Sequence, residues 1–161
     1  MPFDSVTSGA FDDFDARREA RGAFAYEKRV VVPKSGNRLQ VAFMEIPPGK
    51  SAYPYHWHES IAEVYVILSG TGVVRSPERE TAVAPGDVVA FPPGPAGAHR
   101  MTNTGEGPLR YVDIDSTADP DVVHYPDSGK TGYSAFSGSE GRFRDTDAVD
   151  YYEGEPDAGA S

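Results

Sequence analysis

The 161-residue chain contains no cysteine. Disulfide frameworks, thiolate metal sites and cysteine nucleophiles are therefore excluded. Lysine is scarce, with four residues against eleven arginines, and no N-x-S/T acceptor occurs. Long hydrophobic runs are missing. The longest, "VYVIL", falls far short of the ~20 apolar residues that a helical membrane span needs. The opening "MPFDSVTSGAFDDFD" has neither the basic nor the apolar region of a signal peptide. A soluble cytoplasmic protein is expected. A basic face is lacking as well: the formal net charge of −10 argues against a nucleic-acid partner, whose phosphates require one. Few lysines and many aspartates fit an organism with a salty cytoplasm, where an acidic surface keeps proteins soluble. The expected outcome is an unfolding midpoint that rises between low and molar salt. The G-x-S-x-G elbow, the phosphate-cradling G-x-x-x-x-G-K-[ST] loop and the G-x-G-x-x-G fingerprint are all absent.

What is present is short, β-rich and regularly punctuated. From Ala23 the runs "AYEKRVVVP", "RLQVAFMEIPPG", "EVYVILSGTGVVRS", "ETAVAPGDVVAFPPG" and "PLRYVDID" alternate with the turn signals "KSGN", "SGTG", "APGD" and "NTGEG". A spacing of about ten residues predicts an antiparallel all-β sandwich or barrel. No long stretch has helical period. Residues 1–22 read as an N-terminal arm in which "DDFDARREAR" could form one or two helical turns. Residues 23–116 form the barrel. Residues 117–161, rich in Gly, Ser, Asp and tyrosine, read as a C-terminal extension wrapping it, with its last residues frayed. In that extension "DVVHYP", "RFRD" and "AVDYYEG" are candidate short strands, and the tyrosines at 125, 133, 151 and 152 argue for packing rather than disorder.

Two of the four histidines sit in "HWHESIAE". On a strand, residues i and i+2 share a face about 6 to 7 Å apart, so His56 and His58 converge while Trp57 points away. A short turn between antiparallel strands would set Glu63 beside them. His99, after "PPGPAGA", opens another strand. Three imidazoles and one carboxylate form a borderline donor set with open positions, suited to Fe, Mn, Ni, Zn or Cu. Each residue also has an ordinary role: an isolated HxH is commonly a surface feature, and Glu63 could be a solvated charge at a strand start.

The arrangement around these residues resembles the two cupin motifs. The first, G-x5-H-x-H-x3–4-E-x6-G, matches Gly49, His56, His58, Glu63 and Gly70, with six residues rather than five before His56. The second, G-x5-P-x-G-x2-H-x3-N, matches Gly86, Pro92, Gly94, His99 and Asn103, with four residues rather than two before His99. That longer gap bears on the turn more than on the histidine. The resemblance spans roughly residues 38–116, and "DVVHYPD" and "DYYEGE" look like a subgroup of single-domain cupins. It implies a jelly-roll barrel, or double-stranded β-helix, in which His56, His58, Glu63 and His99 bind one divalent metal. It also implies a small-molecule ligand in the barrel and a homodimer. The chemistry could be of the dioxygenase type or of the sugar or sugar-phosphate isomerase type, and the alternative is a non-catalytic module that binds or senses a ligand or metal. A phosphate subsite would need inward Arg or Lys. Arg100 points away by alternation, so none is assigned. Gly49, Gly70 and Gly86 are expected at tight turns, and Asn103 in turn hydrogen bonding. His124 is expected in a structural or interface role. Tyr53, Tyr55, Tyr65, Met101 and Tyr111 are expected to line the barrel or simply fill its core.

Overall fold

A computed structural model describes residues 6–156; the first five residues of the arm and the end expected to fray, 157–161, lie outside this range. The first strands in chain order are β1 (Ala16–Arg21), β2 (Phe24–Val32), β3 (Leu39–Ile46), β4 (Trp57–His58) and β5 (Glu63–Ser69). Next come β6 (Gly72–Arg75), β7 (Glu80–Val83), β8 (Val88–Phe91), β9 (Arg100–Asn103) and β10 (Leu109–Ser116). The C-terminal part adds β11 (Asp121–Tyr125), β12 (Lys130–Ser134) and β13 (Glu140–Arg144). One wall is a six-stranded sheet in the order β1-β2-β3-β10-β5-β8. The opposite wall is built from β7-β6-β9 and β13-β12-β11-β4. An isolated His56↔His99 bridge joins these two pieces. All strand pairings are antiparallel, as the alternating runs and tight turns predict. The architecture is a jelly-roll barrel.

Period-two alternation decides what faces the interior. On β3, Ala42, Met44 and Ile46 are buried, and their neighbours Val41, Phe43 and Glu45 are turned outward and only half-buried. On β10 and β5 the inward rows are Leu109–Tyr111–Asp113 and Ile67–Tyr65–Glu63. Both begin apolar and end in a carboxylate. Met44, Ile46, Tyr65, Ile67, Met101, Leu109 and Tyr111 form the core. The sheet therefore has an apolar end and an acidic end, and the acidic end positions the site. Gly70 (φ +80°) closes the β5–β6 turn, where an added Cβ would lie 2.5 Å from the Pro108 carbonyl oxygen. Gly49 and Gly86 also adopt positive φ, as the turn signals predict.

Three local expectations are corrected. Of "DDFDARREAR" only Asp12 and Asp13 join a single 3-10 turn, Phe11–Asp13, and Ala16–Arg21 is an edge strand paired along its length with β2. An isolated helix this short is marginal in water, whereas β2 supplies a ready ladder. β4 and β5 do not form a hairpin: β4 pairs with β11, while β5 lies between β10 and β8. Glu63 thus reaches the histidines from the opposite wall. In the extension, β11 and β13 form as expected, but "AVDYYEG" makes turns rather than a strand. Tyr151 and Tyr152 pack on one another, 4.8 Å between centroids, and are otherwise exposed. Their sequence neighbours Asp150, Glu153 and Gly154 are acidic or glycine.

Candidate metal centre

The three histidines approach from one wall and the glutamate from the other. His56 and His58 lie on either side of Trp57, whose indole turns outward and stacks on His124 at 4.0 Å. His99 is placed by the four residues following Gly94. Pro95–Gly97 form one 3-10 turn, which absorbs the longer gap and leaves His99 bridged to His56. His99 also stacks on Phe91, 3.6 Å between centroids. Glu63 Oε2 lies 3.9 Å from His56 Nε2, 3.7 Å from His58 Nε2 and 3.3 Å from His99 Nε2. His56, Glu63 and His99 are buried, and His58 is half-buried towards the cavity.

Each imidazole is oriented through its other nitrogen. His56 Nδ1 is 2.8 Å from the Pro54 carbonyl oxygen, and His99 Nδ1 is 2.9 Å from that of Gly97. A carbonyl oxygen only accepts, so both Nδ1 atoms carry the proton and both Nε2 atoms present lone pairs. His58 Nδ1 donates to Asp121 Oδ2 at 2.6 Å. This carboxylate–histidine pairing fixes a metal-ligating tautomer. Burial, and then the neighbouring His58, pulls His56 down to about 4. Burial and His56 hold His99 well below its usual range. Both rings are therefore neutral at physiological pH. Burial first, and then Asp115 and Asp113, push the Glu63 carboxyl well above the usual carboxylate range. Neutral lone pairs facing a carboxylate that resists its own charge make an electron-rich centre, which a cation would relieve. The ligand atoms of His56, His58 and Glu63 all lie within 4.8 Å of one another, a set that could hold a metal ion. The donor chemistry fits a borderline divalent ion. At the rear of the cage, the Tyr65 hydroxyl donates to His99 Nε2 at 3.0 Å; burial keeps this phenol protonated.

Four groups beside the cage escaped the sequence reading. Asp113, Asp115 and Glu63 each place a carboxylate oxygen within 4.8 Å of the others. Lys28 Nζ donates to Asp113 Oδ2 at 3.1 Å. Burial alone would depress Lys28, but Asp113 and other neighbours outweigh it and raise its pKa, so the ammonium persists. Burial, then Asp113, pushes Asp115 up to about 8. Asp113 Oδ1 and Asp115 Oδ1 are buried without a hydrogen-bond partner. The alternation of "LRYVDID" places both aspartates on the Leu109–Tyr111 face, so a period-two reading could have found them. Asp121 carries no such signal, because its histidine lies 63 residues away.

The remaining candidates divide plainly. Tyr65, Met101 and Tyr111 are core residues. Tyr53 packs against that core and lines the cavity in front of the cage. Tyr55 is turned elsewhere, with the Arg75 guanidinium 3.9 Å over its ring. Arg100 points away from the cage, as alternation predicts, to within 4.0 Å of Asp127. The Asn103 amide donates to the Ile46 and Gly107 carbonyls and accepts from Gly105 N–H, the expected turn role. Outside the barrel, His124 bonds Glu59 and Thr131.

Comparison with known proteins places this geometry. A cupin domain family model matches residues 42–115. No curated protein sequence matches the chain. Among solved structures, one from Acidithiobacillus ferrooxidans, provisionally named a sugar phosphate isomerase, is 25% identical with a TM-score of 0.76, covering 90% of this chain and 94% of that one. A cupin-superfamily sugar phosphate isomerase from Silicibacter pomeroyi is 18% identical with a TM-score of 0.76, covering 88% and 95% of the two chains. A Thermotoga maritima protein, predicted to be an oxalate decarboxylase, is 25% identical with a TM-score of 0.62, covering 70% and 100%. The barrel, the two motifs and these likenesses agree: residues 42–115 are a cupin domain, and the chain has the cupin fold.

Proposed function

We propose that this protein is a divalent-metal enzyme that isomerises a small hydroxylated carbonyl compound of the sugar or sugar-phosphate class. His56, His58, Glu63 and His99 are the metal donors in this reading. The observation that carries it is the pairing of that cage with Asp113, Asp115 and Lys28, proton-handling groups on the wall of the same cavity. A divalent ion bound there supplies Lewis-acid polarisation of a substrate oxygen. The buried, unpartnered Asp113 Oδ1 accepts a proton from the carbon beside a carbonyl and returns it to the neighbouring carbon, with Asp115, held protonated by its burial, beside it. The hydroxyl proton moves the opposite way, so the product is an isomer and no oxidant is consumed. The Lys28 ammonium stabilises negative charge building on substrate oxygen. The likeness to the Acidithiobacillus structure, 25% identical over 90% of the chain, supports the same class.

The reading includes a homodimer. The outward row Phe43–Val112–Val66–Val88 crosses four strands of the large sheet. Phe11 and Phe14 cover its Phe43 end, but Val88 is 62% exposed and the adjacent Leu68 46%. A second copy related by a two-fold axis sets the same patch against itself. No helix among the described residues is long and apolar enough to cross a membrane, and a cytoplasmic location belongs to the same proposal.

Elemental analysis of protein purified without added metal, as wild type and as His99→Ala, tests the cage. About one ion per chain is expected for wild type, with a clear loss in the variant. A wild type without metal, and without thermal stabilisation by any divalent ion, sinks the metal reading. For turnover, sugars and sugar phosphates incubated in D2O with metal-loaded protein should lose a C–H proton signal next to the carbonyl. Asp113→Asn should stop this exchange while retaining the metal. Ligand-induced stabilisation without exchange would identify a binding module instead.

A further inference from the structure

The cavity does not end at the cage. A chamber of about 280 Å³ against His56, His58 and Glu63 adjoins a second one of about 380 Å³. The two share Lys28, Lys34, Tyr53, His58, Asp115 and Arg142, so they form one continuous passage beside the cage. The second chamber also reaches Arg17. Three separate elements deliver cations there: Arg17 from β1, Lys34 from the β2–β3 connection and Arg142 from β13. This concentration runs against the sign of a chain with net charge −10 and only four lysines.

These cations are also available. Lys34 makes no ion pair among the described residues. Arg142 is 3.7 Å from Glu140, and Arg17 is 3.2 Å from Glu19. All four of these side chains are exposed, and exposed pairs of this kind hold weakly and exchange readily for a better anion. Lys28 differs, being half-buried and committed to Asp113. A guanidinium offers a fork of donors that matches a phosphate or carboxylate, and an ammonium adds a point charge.

We propose that Arg17, Lys34 and Arg142 form an oxyanion subsite, which holds the phosphate or carboxylate end of the substrate while its hydroxylated end lies against the cage. The inference rests on the functional reading above and adds the charge of the substrate and the residues that select it. None of the three cations lies within residues 42–115, the span shared with the family model.

Calorimetric titration of the metal-loaded chain with glycerol 3-phosphate, glycerate and glycerol at low ionic strength tests it, with metal content measured on the same samples. At least one of the two anions should bind about tenfold or more tighter than glycerol. Whichever anion gains identifies the oxyanion as phosphate or carboxylate. The double variant Lys34→Met/Arg142→Met should lose that preference and keep its metal. Arg79→Met, an exposed change outside the passage, should leave the preference intact. Equal affinities for the three probes, or a preference unchanged in the double variant, overturn the inference. A failed metal reading shows separately, as wild type without metal, and leaves the anion comparison intact because neither Lys34 nor Arg142 is a donor.

Discussion

Asp121 decides more at the scale of single residues than its place in the chain suggests. Its carboxylate fixes the His58 ring, and no donor in either motif depends on a residue further along the chain. Asp121→Asn keeps the shape but presents an amide, which can face Nδ1 with the wrong group and no longer strengthens the ring as a ligand. Loss of such a partner commonly costs metal affinity about 10–100-fold. Competition with a chelating dye should show that loss, with a far-ultraviolet circular dichroism spectrum unchanged. Asp115 sets a pH dependence. Its folded value, about 8, exceeds its unfolded value of about 4. Between these two, the folded chain keeps a proton that the unfolded chain gives up. The metal-free protein is therefore most favoured by this group at the acid end of the window and loses that contribution as pH rises through 8. Urea denaturation of chelator-treated protein should show Asp115→Asn with a flatter profile from pH 4 to 8 than wild type, and greater stability at the alkaline end. A parallel pair of profiles would refute it.

At the scale of elements, the Pro95–Gly97 turn is where motif spacing and geometry meet. Gly97 has an ordinary φ, yet an added Cβ would fall 1.8 Å from the Pro92 carbonyl oxygen. Its own carbonyl anchors His99 Nδ1. Gly97→Ala must push this turn off β8 and carry His99 with it, so both the melting temperature and the metal content should fall. An alanine variant with wild-type metal content would show that the turn yields without moving His99. This element also marks what could be read in advance. Motif spacing placed His56, His58, Glu63 and His99 in one neighbourhood, and strand alternation placed Met101 inward and Arg100 outward. The expected hairpin does not form at Glu63, because the nearest strand in sequence is not the nearest in the barrel. The helical turns expected in the arm give way for a related reason: "ARREAR" gains its ladder from β2, a tertiary partner that local propensity does not see. Asp113 and Asp115 are legible by alternation. Asp121 and the three cations of the second chamber are not, since only the folded chain brings them to the cavity.

The whole molecule divides its labour between core and flanks. Residues 42–115 supply the proposed metal donors and the acidic wall. The flanks supply the His58 anchor, Lys28 and the three cations of the proposed subsite. The outer face of the large sheet has its own role. Light scattering after size exclusion should give a dimer for wild type, and a monomer for Leu68→Glu/Val88→Glu with its metal retained. A monomeric wild type at tens of micromolar would remove the proposed interface.

The Asp121–His58 hydrogen bond has a consequence in time. Its two ends are 63 residues apart, and the sheet that carries Asp121 is completed only by β13. A chain emerging from the ribosome presents His56, His58, Glu63 and His99, the proposed donors, well before it presents the carboxylate that orients His58. The β3–β10 pairing closes loops of the same length or longer, and such closure is slow. The His58 ring is thus set together with the barrel itself, and tight metal capture would report that the whole fold, flanks included, is in place.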